Sequence, residues 1–422
     1  MKYDFVFLYH PHFYDVNPGA QMGLGLLSLA TYAKQLGASV RVVNCQSAKT
    51  MGAVYRALYP CKYLMMYGCL IDAPILNTIA ANTKLHDLCE HVYIGGPIAK
   101  SLDKIDFNYI DMAIDGPGEE FVELITKHER GPNVIGTTFR YTSTLKNINE
   151  YPFPDRTLLE GDYGGNIFKR KDAECEISTT ILTSRGCHYH CAFCESGNKD
   201  FFMEYDIERI EKELEHCLSL GIKNFRISDD NLLKTTRLYV LCKLFKNAGI
   251  KWRASVRASM RSIDIYKEMV DSGCEELSFG IESGDQKVLD LLEKGTNIDV
   301  NITTVKNAKL GGVPLVRALL MMGTPGETYE TEMKNIEWVA NTKPDMVSLK
   351  MFVPYPGTKI YSNPEKYGCT LKVVDVNNSA YRPSGSEAKA NIETEKMTRG
   401  ELTQQFHSMK KWLEHNKCEN RG

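Results

Sequence analysis

The sequence has little net charge, no long apolar run and no internal repeat. Its 422 residues include 51 basic and 53 acidic side chains, a formal net charge of −2, so bulk attraction to nucleic acid or to an anionic membrane is not expected. No apolar run approaches the roughly 18 residues of a membrane span. The amino terminus contains Asp4 and leads to no small-residue cleavage site, and we interpret it as a first strand, not a signal peptide.

The sequence also lacks a second cysteine pair of the kind that completes most structural zinc sites. Of its 13 cysteines, ten stand alone, several of them in or beside apolar runs. Scattered cysteines of this kind are typical of reduced, buried thiols, and they predict a reducing, cytoplasmic compartment.

The remaining three cysteines form the most informative stretch. Cys187, Cys191 and Cys194 are spaced C-x3-C-x2-C, and thiolates packed this tightly are good ligands for soft metals. Iron–sulfur clusters usually take four cysteines, so a cluster held here would keep one iron open to a substrate or a cofactor. The alternatives are a zinc site completed by His188 or His190 and a chance cluster.

Residues 1–130 alternate short apolar runs with helical patterns. Strands are predicted at Asp4–Tyr9, Val40–Val43, Tyr63–Tyr67, His91–Ile94 and Met112–Ile114, and helices at Met22–Leu36, Met51–Leu58, Ala73–Leu88 and from Glu119 to about His128. This alternation predicts an α/β domain with a doubly wound, Rossmann-like parallel sheet. Ligands of such sheets lie at the carboxyl ends of the strands, where Gly95 and Gly96 are found here.

Residues 131–175 lose this rhythm and are predicted to be a linker. Residues 176–360 regain it. Strands are predicted at Ile177–Thr183, Asn224–Ser228, Trp252–Val256, Glu276–Ile281, Pro314–Met321 and Met346–Met351, and helices at 205–220, 235–248, 262–272, 285–293, 299–311 and 328–341. Six βα units are fewer than the eight of a closed barrel, so we predict a partial (βα)6 barrel. Residues 361–422 are a polar extension with a helix at Thr398–His415, expected to cover the open side.

Further motifs follow the predicted strands in order. They are Ser228-Asp229-Asp230, Arg257, Gly280-Ile281-Glu282-Ser283-Gly284, Met322-Gly323-Thr324-Pro325-Gly326-Glu327-Thr328 and Pro354-Tyr355-Pro356-Gly357-Thr358. Together with the cysteine triplet and the aromatic Phe193 inside it, they make residues 176–360 resemble the radical SAM superfamily. This ordered set is far more specific than the cysteines alone.

The resemblance implies a [4Fe–4S] cluster on Cys187, Cys191 and Cys194, with S-adenosylmethionine chelating the fourth iron. Reduction of the cluster cleaves that cofactor to methionine and a 5′-deoxyadenosyl radical, which abstracts hydrogen from an inert carbon. It also implies an electron donor such as flavodoxin or ferredoxin. The chemistry requires a site shielded from water and oxygen.

The resemblance also suggests roles for the polar residues at the strand ends. One of Asp229 and Asp230 would meet the cofactor's ammonium or a polar substrate, although a helix N-cap is the alternative for at least one of them. Arg257 would hold the carboxylate of S-adenosylmethionine in bidentate fashion, and its alternative is a surface salt bridge. Phe193 would lie beside the cofactor.

Two later motifs are expected near the same cofactor. Glu282 and Ser283 match a position that meets the ribose or the amino acid end of S-adenosylmethionine, and their alternative is a buried capping pair. Gly323 and Glu327 would line the adenine side, or they form only a turn into a helix. No catalytic acid or base can be assigned from the sequence.

Residues 1–130 resemble the cobalamin-binding-type domain that precedes many radical SAM barrels. The resemblance is carried by Gly23-Leu24-Gly25-Leu26-Leu27, Tyr93-Ile94-Gly95-Gly96-Pro97 and Asp115-Gly116-Pro117-Gly118-Glu119-Glu120, and it implies cobalamin as a further cofactor. The D-x-H-x-x-G motif is absent, so a histidine ligand to cobalt is not expected. We interpret His10 and His12 as exposed loop residues.

The resulting hypothesis is a cytoplasmic radical SAM enzyme that methylates an unactivated carbon, with cobalamin as the methyl donor. One alternative keeps the radical step without methyl transfer, as a rearrangement, cyclisation or oxidation. An alternative of another class is a non-catalytic iron–sulfur or zinc binding protein. The near-neutral charge favours a small-molecule substrate, while a modified nucleotide or a peptide stays open.

Overall fold

The computed structural model describes residues 2–11, 23–127, 140–142, 147–159, 177–196, 201–232, 235–259, 262–372 and 388–418. The chain divides into two compact units, one of Met1–Ile181 with Tyr205–Asn224 and one of Leu182–Glu204 with Phe225–Gly422. In the described part of the chain, no helix combines the length and the apolar character that crossing a bilayer requires. Several residues of interest in the sequence, among them His12 and Cys175, lie outside the described residues.

The first unit is built on a six-stranded sheet. Its strands are β1 (Tyr3–Tyr9), β2 (Val40–Asn44), β3 (Cys61–Tyr67), β4 (Cys89–Gly95), β5 (Met112–Asp115) and β6 (Arg140–Thr142), and its helices include α1 (Leu24–Gln35), α2 (Met51–Ala57), α3 (Ala73–Leu85) and α4 (Glu119–Lys127). The order is β2-β1-β3-β4-β5-β6 with parallel neighbours. The predicted doubly wound sheet is therefore confirmed.

Strand β1 shows why this sheet reads as continuous apolar runs. Val6 and Leu8 pack into the core on one face of the sheet, while Phe5 and Phe7 pack into the core on the other. Helices cover both faces, so successive side chains of the strand are all buried. Strand β1 also lies between β2 and β3, which makes the carboxyl ends of β1 and β3 the point where the order reverses and where ligands bind in such sheets.

The second sheet has six strands in chain order. The elements from residue 178 to residue 351 are β7 (Ser178–Ile181), β8 (Ser184–Gly186), β9 (Phe202–Glu204), α5 (Ile207–Ser219), β10 (Asn224–Ile227), α6 (Thr235–Ala248), β11 (Lys251–Arg257), α7 (Ile263–Asp271), β12 (Cys274–Glu282), α8 (Gln286–Leu291), α9 (Ile298–Leu310), β13 (Val316–Met322), α10 (Tyr329–Thr342) and β14 (Met346–Met351). The sheet order is β7-β10-β11-β12-β13-β14, and the partial (βα)6 barrel is confirmed.

The two faces of this sheet differ in burial. On β11, Trp252, Ala254 and Val256 are buried, and Arg253 and its neighbours two and four residues on are only half-buried. Side chains of a strand alternate between the two faces, so the buried apolar set lies under the helices. The polar set lines the inner face of the barrel.

The extension after β14 adds a few short elements and one long helix. They are α11 (Lys359–Ser362), β15 (Cys369–Leu371), β16 (Ile392–Thr394) and α12 (Arg399–His415). Thr398 and Glu401 form a capping box at the start of α12, which stabilises its first turn. The predicted terminal helix is present and contacts α10, β13 and β14.

Candidate functional site

The cysteine loop begins at the end of β8, which pairs with β9 in a short antiparallel ribbon. Gly186 ends β8 opposite Phe202, with a φ of +86°. A Cβ at Gly186 would lie 2.0 Å from the carbonyl oxygen of Phe201, so only glycine permits this close approach of the two strands. Cys187 comes directly after it, and the ribbon therefore fixes where the loop begins.

The loop is tied to the barrel by its backbone. The Ala192 N–H donates to the Leu292 carbonyl at 2.9 Å, and the Ile360 N–H donates to the Ala192 carbonyl at 3.1 Å. Cys191 is buried, whereas Cys187 and Cys194 are half-buried. These hydrogen bonds hold the loop without involving the thiols.

The cysteine loop offers three thiols as its donor set. In the described ranges, no three His, Cys, Asp or Glu side chains converge closely enough to hold one metal ion. In a [4Fe–4S] cluster each cysteine binds a different iron, so the sulfur atoms stand farther apart than around one metal. Cys187, Cys191 and Cys194 offer three thiols on one loop, which is the ligand number that leaves one iron open.

Asp229 and Asp230 hold the two ends of the loop region. The Asp229 carboxylate accepts hydrogen bonds from the Thr183 N–H at 2.7 Å and from the hydroxyls of Thr183 and Ser184. Asp230 accepts from the Gly186 N–H at 3.2 Å and from the Ser196 hydroxyl at 2.6 Å. The carboxylates expected to cap a helix or to meet the cofactor's ammonium thus bond the ribbon and the cysteine loop.

The burial of Asp229 predicts a pH dependence of stability. Burial raises the pKa of Asp229 from 3.8 to about 6, against the hydrogen bonds from Thr183 and Ser184. A carboxyl whose pKa is higher in the folded state stabilises that state fully below pH 3.8, and the contribution disappears as pH rises through 6. The amide of Asp229→Asn keeps one acceptor and does not ionise. Between pH 4 and 6.5, the wild type should lose about 2 kcal/mol more unfolding free energy than this variant.

Urea denaturation at the two pH values measures this difference. The exposed Asp264 provides the control, since its replacement by Asn should leave the pH dependence of the wild type unchanged. The prediction is contradicted if the unfolding free energies of the wild type and of Asp229→Asn change equally between the two pH values.

Arg257 brings a cation to the cysteine loop. Its Nη1 lies 3.5 Å from Sγ of Cys191, and its Cζ lies 3.9 Å from the centre of the Tyr189 ring. Its Nη2 is buried, with no hydrogen-bond partner among the described residues. A buried donor without a partner is costly, and beside the loop it is placed to receive a carboxylate.

Glu282 occupies a strained position at the end of β12. Its φ is +66°, and the register with β13 shifts at this point. Such backbone is uncommon for a residue with a side chain and concentrates at functional sites. Oε1 of Glu282 lies 2.6 Å from Nζ of Lys294, and that ammonium lies 5.7 Å from the centre of the Phe193 ring. The bulge thus brings Glu282 and Lys294 to the cysteine loop.

Ser283 has a different surrounding. Its hydroxyl accepts from the Asp285 N–H at 3.1 Å and lies 3.3 Å from Oδ1 of Asn335. The Asp285 side chain in turn caps α8 by accepting from the Lys287 N–H. The hydroxyl of Ser283 is therefore engaged in the turn that starts α8.

Glu327 closes the turn after β13. Its carboxylate accepts from the Gly323 N–H at 2.9 Å, from the Thr324 N–H at 2.9 Å and from the Thr324 hydroxyl at 2.8 Å. Burial raises the pKa of Glu327 to about 7 despite these bonds. Gly323 has a φ of +75° and lies against Met351, whose Sδ would be 2.5 Å from an added Cβ. The motif is a self-bonded turn, as the alternative reading of the sequence has it.

Replacing Glu327 by Gln should destabilise the protein. The side-chain amide would place its NH2 group against the backbone N–H of either Gly323 or Thr324. That N–H and the NH2 group would then both be buried donors without an acceptor. We expect a loss of about 1–3 kcal/mol in unfolding free energy, measured by urea denaturation at neutral pH. Glu330→Gln changes an exposed glutamate of α10, the helix that follows this turn, and should cost little. Equal midpoints for the two variants would refute the assigned role.

The comparisons agree with this geometry. Residues 181–339 match the family model described as the radical SAM superfamily. The barrel of this chain is similar to the radical SAM domain. The match begins at the end of β7 and covers the cysteine loop, Arg257, Glu282 and Glu327.

Curated relatives share part of their length with this chain. An uncharacterized methyltransferase of Pyrococcus horikoshii is 27% identical over 316 residues, which are 69% of this chain and 66% of the relative. The chain spans between 41% and 66% of the first three curated relatives it matches.

Solved structures share the fold of both units. The cobalamin-dependent S-adenosylmethionine radical enzyme OxsB with aqua-cobalamin bound has a TM-score of 0.73 and 15% identity, covering 98% of this chain and 67% of that one. The radical S-adenosylmethionine methyltransferase TsrM from Kitasatospora setae has a TM-score of 0.65 and 16% identity, covering 88% of this chain and 79% of that one. At these identities the likeness establishes the fold alone.

The first unit carries its glycines at the strand ends. Gly96 follows β4 with a φ of +88°, and a Cβ there would lie 2.5 Å from the Tyr67 ring. The Gly68 N–H donates to the Gly95 carbonyl at 3.1 Å. The loops after β3 and β4 thus interlock through glycines at the edge where the strand order reverses.

The expectation for His10 is wrong. His10 is 3% exposed at the end of β1, and its Nε2 lies 3.7 Å from Oδ2 of Asp72. Asp72 also accepts from the Cys69 N–H at 2.7 Å. His10, directly after β1, thus contacts the segment after β3 at the switch point of the sheet, a long-range contact that the local sequence does not reveal.

Lys294 is the site residue that sequence reasoning missed. One residue separates it from the apolar run Leu291-Leu292, and it is only 6% exposed. Lysine is almost never buried unless it is paired. The signal available in the sequence was a lysine between an apolar run and Gly295. Its pairing with Glu282, 12 residues away, could not be read from the sequence.

Proposed function

We propose that this protein is a radical SAM enzyme that cleaves S-adenosylmethionine reductively and methylates an unactivated carbon of a small molecule, with cobalamin as methyl donor. The buried, unpaired Nη2 of Arg257 beside Cys191 carries the proposal. This guanidinium contacts Cys191 through Nη1 and keeps one buried donor unused, as a carboxylate-bearing cofactor at an open iron would require. Cys187, Cys191 and Cys194 would hold the cluster.

When bound and reduced, the cluster supplies the electron that splits S-adenosylmethionine into methionine and a 5′-deoxyadenosyl radical. The protein's part is to hold and to shield. Arg257 would orient the cofactor's carboxylate by paired N–H donors, and Glu282 would face its ammonium or ribose. Asp229 and Asp230 form hydrogen bonds with the segments that flank the cysteine loop, so the three cysteines would be preorganised before the cofactor binds.

The first unit would hold cobalamin at the edge where Gly95 and Gly96 lie. OxsB and TsrM are described with cobalamin bound, and both share the fold of this chain. The glycine loops bring backbone, not side chains, to that edge, which suits a large flat ligand. Cobalamin would carry the methyl group, and an electron donor such as flavodoxin or ferredoxin would serve the cluster.

Anaerobic reconstitution with iron and sulfide tests the proposal. We expect 5′-deoxyadenosine after addition of reductant and S-adenosylmethionine, and S-adenosylhomocysteine only when cobalamin is also present. Without 5′-deoxyadenosine the radical function is refuted. If 5′-deoxyadenosine forms and cobalamin changes nothing, methyl transfer is refuted and a rearrangement, cyclisation or oxidation takes its place.

A further inference from the structure

Three arginines enter the barrel sheet from consecutive or nearby strands and point to one face. Arg226 lies on β10, Arg253 on β11 and Arg317 on β13. The two strand neighbours of each arginine are apolar and no more than 4% exposed. Because side chains alternate along a strand, the buried neighbours occupy the helix side and the guanidinium groups occupy the inner face.

The carboxylate of Glu276 pairs with two of these arginines. Oε1 of Glu276 lies 2.8 Å from Nε of Arg317, and Oε2 lies 3.6 Å from Nη1 of Arg253. Burial would raise the pKa of Glu276, and Arg317 and Arg253 hold it below the ordinary value instead. The Glu276 carboxylate thus meets two guanidinium groups.

Arg226 is left over from this pairing. In the described part of the chain it makes no hydrogen bond or ion pair. Burial lowers the pKa of Arg226 to about 10, and repulsion from Arg253 adds to the effect. A half-buried cation beside like charge costs stability, and such costs are retained where a function needs them.

We propose that the inner face of the barrel binds an oxyanion of the substrate, a carboxylate or a phosphate group, on Arg226 with Arg253 and Arg317. Planar guanidinium groups match the oxygens of either group in bidentate geometry. The inference rests on the proposed function, since it requires that a substrate enters this barrel. It adds the chemical class of a group on that substrate. The bound group would bring the negative charge that Glu276 alone does not supply.

The arrangement also sets the size of the molecule. Arg253 and Arg257 share the inner face of β11 and are four residues apart, which is about 13 Å at the rise of a strand. Arg257 contacts Cys191, while Ser255 and its register partner Ser278 lie between the two ends. A small acid fits this span, with its oxyanion on the arginines and its reacting carbon toward the cysteine loop.

A purely structural layer of charged side chains predicts something else. The interior of a barrel can simply be filled by its own side chains, and the arginines would then act only in packing. In that case removal of Arg226 would lower stability and no added anion would matter. Under the proposal, removal of Arg226 relieves repulsion and eliminates the response to an oxyanion.

The test uses the reconstituted full-length protein without S-adenosylmethionine or reductant, so it does not depend on radical chemistry. Inorganic phosphate and acetate are titrated by calorimetry at constant ionic strength against potassium chloride. The variants are Arg226→Met, Arg226→Lys and Lys251→Met, the last of which replaces an exposed cation at the start of β11. Thermal denaturation with and without each anion is the second measurement.

We expect phosphate or acetate to bind the wild type more tightly than chloride does, and the anion that binds identifies the class of group. Arg226→Met should weaken that binding at least tenfold and remove the rise in Tm, Arg226→Lys should weaken it less, and Lys251→Met should match the wild type. The proposal is overturned if neither oxyanion exceeds chloride, or if Arg226→Met and Lys251→Met bind alike. Should Arg226→Met not fold, the lysine variant and the wild-type titrations still decide.

Discussion

Cys191→Ala should contain little iron after reconstitution and should form no 5′-deoxyadenosine. Cys191 is the buried member of the triplet, 7% exposed, and it lies beside Arg257. Its loss would leave two half-buried cysteines, too few for a cluster of this kind. Iron and sulfide content, the visible absorption of the cluster and product analysis after incubation with reductant measure the effect. Full iron content in this variant would mean that the ligand assignment is wrong.

The loop should survive the substitution, which makes the result interpretable. Its backbone is held through Ala192 by hydrogen bonds to Leu292 and Ile360, none of which uses a thiol. Cys418→Ala is the matched control, because it removes a half-buried thiol far along the sequence from the loop. It should keep the iron content and the product yield of the wild type.

The sequence predicted the barrel well because its strands and helices are long and strongly patterned. Strand β14 has the predicted bounds Met346–Met351, and α6 spans the predicted 235–248. Short elements escaped. Strand β6, in the predicted linker, and the ribbon strands β8 and β9 have three residues each, and pairing with a distant partner, not local pattern, makes them strands.

Predicted site residues met the same limit. The cysteine triplet and Arg257 were found from local spacing and position, and they lie together. The engagement of Asp229 with Thr183 and Ser184 spans 46 and 45 residues, and that of Glu282 with Lys294 spans 12. A sequence shows which carboxylates stand at strand ends. It does not show which of them the fold has already bonded, and that decides between holding the loop and facing a ligand.

Arg257 is a strand-end residue with an unused hydrogen-bond donor, and its replacement should strongly weaken the binding of S-adenosylmethionine. Nη2 has no partner among the described residues, so a carboxylate reaching it gains a charge-assisted hydrogen bond worth about 1.5–3 kcal/mol. Arg257→Met should therefore raise the Kd for S-adenosylmethionine by roughly 10- to 100-fold, measured by anaerobic calorimetry on protein with full iron content. Arg257→Lys keeps the charge without the planar fork and should fall in between. Unchanged affinity in Arg257→Met, with Lys251→Met as the same-strand control, would place the cofactor's carboxylate elsewhere.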